Sequence, residues 1–138
     1  DPPEPIAPTI TLHFDNLSTF DPQLLQDDSV TRARAGRAGW ANPEILRAAA
    51  IRLAASRRTS RPEDVWAMLE QSLSLANAHG ALAWELRTAT TIAEMLVSEG
   101  RESEARGRLE PVYNRLVEGH RTADALKARD ILEGRGSR

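Results

Sequence analysis

The sequence predicts an all-α fold made of antiparallel helical hairpins, and three observations support this prediction. Alanine and leucine supply most of the apolar residues, and both favour helices. Helix-start signals recur along the chain, and glycines follow the periodic apolar segments where helices should end. Part of the sequence also repeats with an offset of 40 residues, so that each copy contains a helix, a turn and a second helix.

Residues 1–20 differ from the rest of the chain, because four prolines among the first eight residues disfavour helix and favour an extended course. We interpret this segment as a Pro-rich extended leader or linker. Within it Ile10, Leu12 and Phe14 alternate with polar residues, and this pattern also fits a single strand. Such a strand would need a partner edge, which the sequence does not obviously provide.

Three helix starts are indicated by capping patterns. Asp21 stands before Pro22 and Asn42 before Pro43, which places a side-chain acceptor at the N-cap and a proline at the first helical position. Ser60, three residues before a glutamate, has the spacing of a capping box. These patterns predict helices that begin near residues 22, 43 and 62.

Helix ends are indicated by Gly80, Gly100 and Gly119, each of which follows a periodic apolar segment. Helices often end with a glycine in the left-handed backbone conformation. His79 and His120 stand beside two of these glycines. At a helix C-terminus a histidine side chain interacts favourably with the negative end of the helix dipole. Short connections make neighbouring helices antiparallel. The predicted helices cover residues 22–36, 43–56, 62–78, 81–98, 102–118 and 122–133.

The 40-residue offset aligns Leu46 with Leu86 and Arg47 with Arg87. A hairpin of this length is typical of helical solenoids, in which each unit buries its apolar stripe against its neighbours. We therefore predict one helical-repeat domain after the leader. It covers residues 21–138, with repeat units at about 42–80 and 82–120 and a capping helix at about 122–133.

Several segments carry a family resemblance. They are Trp84-Glu85-Leu86-Arg87, Pro111-Val112-Tyr113, Glu118-Gly119 followed by Thr122-Ala123-Asp124, and GWANPEILRAAAIRL at 39–53. Together they resemble the C-terminal tetratricopeptide-like region of bacterial signalling proteins with an AAA-type ATPase module. Those proteins often also carry either an adenylate or guanylate cyclase domain or a winged-helix transcriptional-activator domain.

The resemblance spans roughly residues 39–132 and departs at His120-Arg121, where the pattern has an aromatic residue and an acid. It implies a tetratricopeptide-like α-solenoid fragment of about six helices. Its implied role is the regulatory or sensory arm of a signalling or transcription-regulating ATPase. The ATPase and output domains would lie outside this chain, so their nucleotide sites correspond to no residue here.

The sequence offers no catalytic candidate. It has no cysteine, no Walker-type or Gly-x-Gly-x-x-Gly loop and no Gly-x-Ser-x-Gly motif, and its histidines lack metal-ligand spacing. The net charge of −2 and the absence of a long apolar run argue against nucleic acid and membrane as partners. We expect a cytoplasmic non-enzyme without cofactor or metal, which binds a protein or peptide, such as another domain of its parent protein.

In a tetratricopeptide-like stack the first helix of each hairpin lines a concave groove. The predicted groove residues are Arg47, Arg87, Thr90, Glu94 and Val97. Arginines on such a surface can hold a carboxylate of a partner peptide. An alternative is that Arg87 forms pairs within the stack.

Three other functions remain open at this stage. Apolar end faces of a short repeat array favour a homodimer. A pocket between hairpins would suit a small-molecule sensor. An enzyme that uses Tyr113 and His120 is the third.

An arginine cluster and three tryptophans have both a structural and a functional interpretation. Arg32, Arg34 and Arg37 precede Trp40, and these arginines either form a solvated face or hold phosphate or acidic side chains. The tryptophans at 40, 66 and 84 are interpreted as core or inter-hairpin residues. An exposed one would instead be an interface hot spot.

Overall fold

The structure, a computed structural model, describes residues 21–56 and 61–135. Over these residues the chain is all-α, with six α-helices, two short 3-10 turns and no strand, which confirms the predicted fold class. The predicted leader and the capping box at Ser60 lie outside the described residues. The helices are α1 (Asp27–Arg34), α2 (Asn42–Ala55), α3 (Pro62–Ala78), α4 (Leu82–Ser98), α5 (Glu102–Tyr113) and α6 (Ala123–Leu132).

The chain forms two compact units, which divide between Ser72 and Leu73 within α3. In the first unit α1 packs on α2, and the largest fully buried side chains are Ile45, Leu46 and Leu69. In the second unit α4 packs against both α5 and α6, which also contact each other. Its largest fully buried side chains include those of Leu86, Ile92, Leu96 and Leu109.

The helix starts follow the spacing of the sequence repeat. Helices α2 and α4 begin 40 residues apart, and so do α3 and α5. Aligned residues also share their environments, since Leu46 and Leu86 are both buried. Arg47 and Arg87 each form an ion pair with a carboxylate. The partners differ, since Arg47 pairs within its own helix and Arg87 pairs with Asp124 of α6.

The first helix is shorter than predicted. Asp21 does act as a local acceptor, because its Oδ1 accepts a hydrogen bond from the backbone N–H of Gln23 at 2.9 Å. The turn that follows is a 3-10 turn over Pro22–Leu24, and Gln26 is extended, with φ −92° and ψ 148°. This extended residue interrupts the predicted 22–36 helix, so α1 begins only at Asp27.

Asn42 does not cap α2 as predicted, because it is the first residue of the helix and not the residue before it. Its Oδ1 accepts a hydrogen bond from the backbone N–H of Ala38 at 3.3 Å. The side chain therefore ties the loop that precedes α2 to the start of the helix. Pro43 stands in the first turn, where its missing N–H leaves no helical bond unmade.

Gly80 and Gly100 close helices as predicted. Both have positive φ values, 66° and 75°, a conformation that glycine adopts without steric cost. The backbone N–H of Arg101 donates to the carbonyl of Leu96 at 2.8 Å, and Ala81 makes the equivalent bond after α3. These bonds satisfy carbonyl groups that the end of each helix leaves unpaired.

The predicted helix over 102–118 is too long, because α5 ends at Tyr113. Pro111 lies in its last turn, lacks a backbone N–H and disfavours a helical conformation at the residue before it. Residues 114–122 instead form a loop that leads to α6. Gly119 was predicted to end a helix, but it lies within this loop.

Helix α6 begins with a side-chain cap. Thr122 is extended, and its Oγ1 accepts a hydrogen bond from the backbone N–H of Ala125 at 3.3 Å. We expect Thr122→Ala to lower the free energy of unfolding by about 1 kcal/mol, because a helical N–H loses its acceptor. Urea unfolding followed by circular dichroism would measure this loss. Thr122→Ser keeps the hydroxyl and should stay near the wild type, and equal losses in both variants would contradict the capping role.

Candidate functional site

An exposed apolar cleft of about 690 Å³ lies in the second unit, between the beginning of α4, the loop 114–122 and the beginning of α6. Leu82 and Leu86 of α4 form one apolar wall, and Leu116 and Val117 of the loop form the other. Val117 is 93% exposed, which is unusual for a large aliphatic side chain in an ordered loop. The cleft thus offers apolar surface that the second unit does not itself cover.

Two arginines border this cleft, and each pairs with a carboxylate of the same unit. Arg87 donates from Nε and Nη2 to Oδ2 of Asp124, at 3.0 and 2.9 Å. Arg115 donates from Nη1 to Oε1 of Glu85 at 2.6 Å. The Arg115 guanidinium has five N–H groups, and this bond uses one of them. Since its side chain is half exposed, Arg115 retains donors that this bond does not use.

Glu85 is a buried carboxylate beside the cleft, with a side chain only 5% exposed. Its Oε1 accepts hydrogen bonds from Arg115 and from Nδ2 of Asn77, the latter at 3.2 Å. Its buried Oε2 has no hydrogen-bond partner among the residues that the structure describes. A buried charge with one unsatisfied oxygen depends strongly on its cation. The Arg115 bond therefore holds the loop to α4.

Two of the predicted groove residues do not face an open surface. Thr90 is buried, and its Oγ1 donates to the carbonyl oxygen of Leu86 at 2.7 Å. Arg47, in the first unit, donates from Nε and Nη2 to the two carboxylate oxygens of Glu44, each at 3.2 Å. Its side chain is only 11% exposed. Neither residue is therefore part of the candidate surface.

Helix α6 packs on α4 and is tied to two of the other predicted groove residues. Arg87 pairs with Asp124, and Glu94 accepts from Nζ of Lys127 at 2.7 Å. Val97 is half-buried and lies beside Glu94 in a second, shallow cavity of about 510 Å³. The sequence analysis gave pairing within the protein as the alternative role of Arg87, and the ion pair with Asp124 agrees with that alternative.

The loop residues of the cleft were missed by the sequence prediction, which placed Leu116 and Val117 inside a helix. The available signal was Pro111, because a proline inside a helical pattern kinks or ends the helix near it. Of the predicted groove residues, Arg87 alone lines the cleft.

Tyr113 and His120 form a packing contact. Their ring centroids are 6.1 Å apart and the ring planes meet at 79°, an edge-to-face arrangement that stabilises the loop between them. Because α5 ends at Tyr113, the helix-end role expected for His120 does not apply to it. Across residues 21–56 and 61–135, no three His, Asp or Glu side chains cluster in a way that could hold a metal ion.

The described helices include none that is both long and apolar enough to cross a membrane. No protein-family model, curated protein or solved structure matches the chain. The fold and the cleft thus define an all-α protein with an open apolar surface bordered by paired charges.

Proposed function

We propose that this chain is a non-enzymatic protein-interaction module, a tetratricopeptide-like regulatory or sensory arm of a larger cytoplasmic bacterial ATPase. In this proposal the parent protein acts in signalling or transcription regulation. The observation that carries the interaction role is the exposed apolar cleft with Arg87 and Arg115 at its border. The link to an ATPase depends on the sequence resemblance.

The cleft suits a segment of a partner protein that has an aliphatic side chain next to a hydrogen-bond acceptor. An aliphatic side chain placed between the half-buried Leu82 and the exposed Val117 would remove apolar surface from water on both walls. Burying one such side chain contributes about 1.5–3 kcal/mol. A carboxylate or carbonyl of the same segment would accept from the remaining N–H groups of Arg115. Arginine and apolar anchors of this kind commonly dominate interface energies.

Arg87, Arg115 and Thr122 of the cleft are engaged in structural contacts, and this favours binding over catalysis. Both arginines are paired, as described. The hydroxyl of Thr122 donates to the carbonyl of Gly119 at 2.9 Å and accepts from the backbone of Ala125. Acid–base or nucleophilic chemistry requires a group poised towards a substrate. These contacts instead fix the shape of a recognition surface.

A displayed library of random short peptides, selected on the full chain, would test the interaction role. We expect selected peptides with an aliphatic residue beside an acidic one. Val117→Asp should weaken their binding by at least about tenfold, because it places a charge in the apolar wall. Glu110→Gln, at an exposed site on α5, is the matched control and should change nothing. Selection of no peptide, or binding that Val117→Asp leaves intact, would refute the cleft as an interaction site.

Two further measurements separate this proposal from its alternatives. Sedimentation equilibrium on the wild type and on Val117→Asp would detect a homodimer formed through the cleft. A dimer that Val117→Asp abolishes would mean that the cleft binds a second copy of this chain and not a different protein. The reading frame that precedes the codon for Asp1 tests the link to an ATPase. A Walker-type phosphate-binding motif there supports the regulatory-arm proposal, and a complete frame without one refutes it.

A further inference from the structure

The loop between α1 and α2, in the first unit, presents an exposed tryptophan. Trp40 is 60% exposed, whereas Trp66 and Trp84 are only partly exposed. A tryptophan side chain offers one of the largest apolar surfaces of any residue. The first unit leaves most of this surface to solvent, while the neighbouring Ala38 and Ala41 are buried.

Hydrogen bonds hold this loop in a fixed conformation. The backbone N–H of Arg37 donates to the carbonyl of Arg32 at 2.7 Å, and that of Gly36 donates to Ala33 at 3.0 Å. The N–H of Ala38 donates to the Asn42 side chain. Trp40 is therefore presented from an ordered backbone, so a partner that covers it loses little conformational entropy in ordering the loop.

The end of α1 and the loop that follows it concentrate positive charge. Residues 29–43 contain three arginines and neither aspartate nor glutamate, although the whole chain has a net charge of −2. Arg32 pairs with Asp28 at 3.0 Å. Arg34 and Arg37 are exposed, and no carboxylate within residues 21–56 or 61–135 pairs with either. Two arginine side chains thus lie three and six residues before the exposed indole.

We propose that Arg34, Arg37 and Trp40 form a docking surface for an acidic segment of a partner protein. Carboxylates of that segment pair with the two guanidinium groups, and an apolar side chain between them covers the indole. Residues three apart in the chain have Cα atoms at most about 11 Å from each other. An extended segment of about four residues therefore reaches from one arginine to the indole.

The charge of the chain favours an acidic peptide over nucleic acid as the occupant. Nucleic-acid binding proteins neutralise several phosphates along the strand, and this surface supplies two cations on a chain of negative net charge. Arginine and tryptophan are also the residues most enriched in protein–protein hot spots. The proposal goes beyond the cleft of the second unit, since it uses different residues.

Fluorescence anisotropy of short labelled peptides with the full chain would test this surface. The probe is a peptide of glutamate, leucine and phenylalanine, compared with the same peptide carrying lysine for glutamate and with an oligothymidylate. We expect the acidic peptide to bind, and added salt to weaken it. Trp40→Ala and the double variant Arg34→Glu/Arg37→Glu should each weaken binding by at least about tenfold. Arg106→Glu, at an exposed arginine on α5, is the control and should bind as the wild type does.

Several outcomes would overturn the proposal. They are failure of the acidic peptide to bind, equal or tighter binding of the lysine peptide or the oligothymidylate, and binding that the Arg34→Glu/Arg37→Glu variant retains. That variant keeps the tryptophan, so it decides the question even if Trp40→Ala unfolds the chain. Binding lost in Val117→Asp and kept in both loop variants would assign the peptide to the cleft. This result would refute the loop surface while supporting the interaction role of the second unit.

Discussion

Arg47→Met should lower the free energy of unfolding by about 3–5 kcal/mol, because it removes a guanidinium that pairs with a carboxylate with no exposed side-chain surface. In the folded chain both carboxylate oxygens of Glu44 accept from the Arg47 guanidinium. Removing one partner of a buried pair costs far more than the pair itself contributes. Chemical unfolding followed by circular dichroism would measure the change.

Two variants test the explanation for this loss. Glu44→Gln combined with Arg47→Met removes both charges and should recover more than about half of the lost stability. Lys127→Met breaks an ion pair with two partly exposed partners and should cost no more than about 1 kcal/mol. If the double variant were as unstable as Arg47→Met alone, the buried charge would not be the cause.

Leu109→Ala should lower the free energy of unfolding by about 2–5 kcal/mol, because Leu109 is fully buried on α5, which packs against α4. The substitution removes apolar contacts and leaves a cavity that rigid neighbouring helices fill only in part. Leu109→Met nearly conserves the volume and should cost less than about 1.5 kcal/mol. Leu126→Ala, at a partly exposed position, is the surface comparison. Equal effects at 109 and 126 would contradict the packing of the second unit.

The features that the sequence predicted correctly depend on local chemistry. Gly80 and Gly100 end helices because the left-handed conformation they adopt is a property of glycine itself. The 40-residue offset anticipated the spacing of the helix starts, since equivalent apolar positions recur with it. Such signals need no knowledge of which helix packs on which.

Several features that the sequence did not predict depend on tertiary packing. Thr90 was assigned to a groove, but the orientation of α4 in the packed unit buries it. Glu94 was assigned to the same groove, and its ion pair with Lys127 of α6 depends on a helix that lies far along the chain. The exposure of Trp40 likewise follows from how its loop is anchored on α2 and could not be derived from residue type.

Pro111 lies just before the loop that supplies one wall of the cleft in the second unit. It lies in the last turn of α5, and the chain that leaves the helix after Tyr113 supplies Leu116 and Val117 to one wall of the cleft. Without that early exit, these two side chains would follow the helical rotation and could not both face Leu86. Leu116 and Val117 therefore reach the cleft from a loop, so their place in it is set by backbone that belongs to no helix.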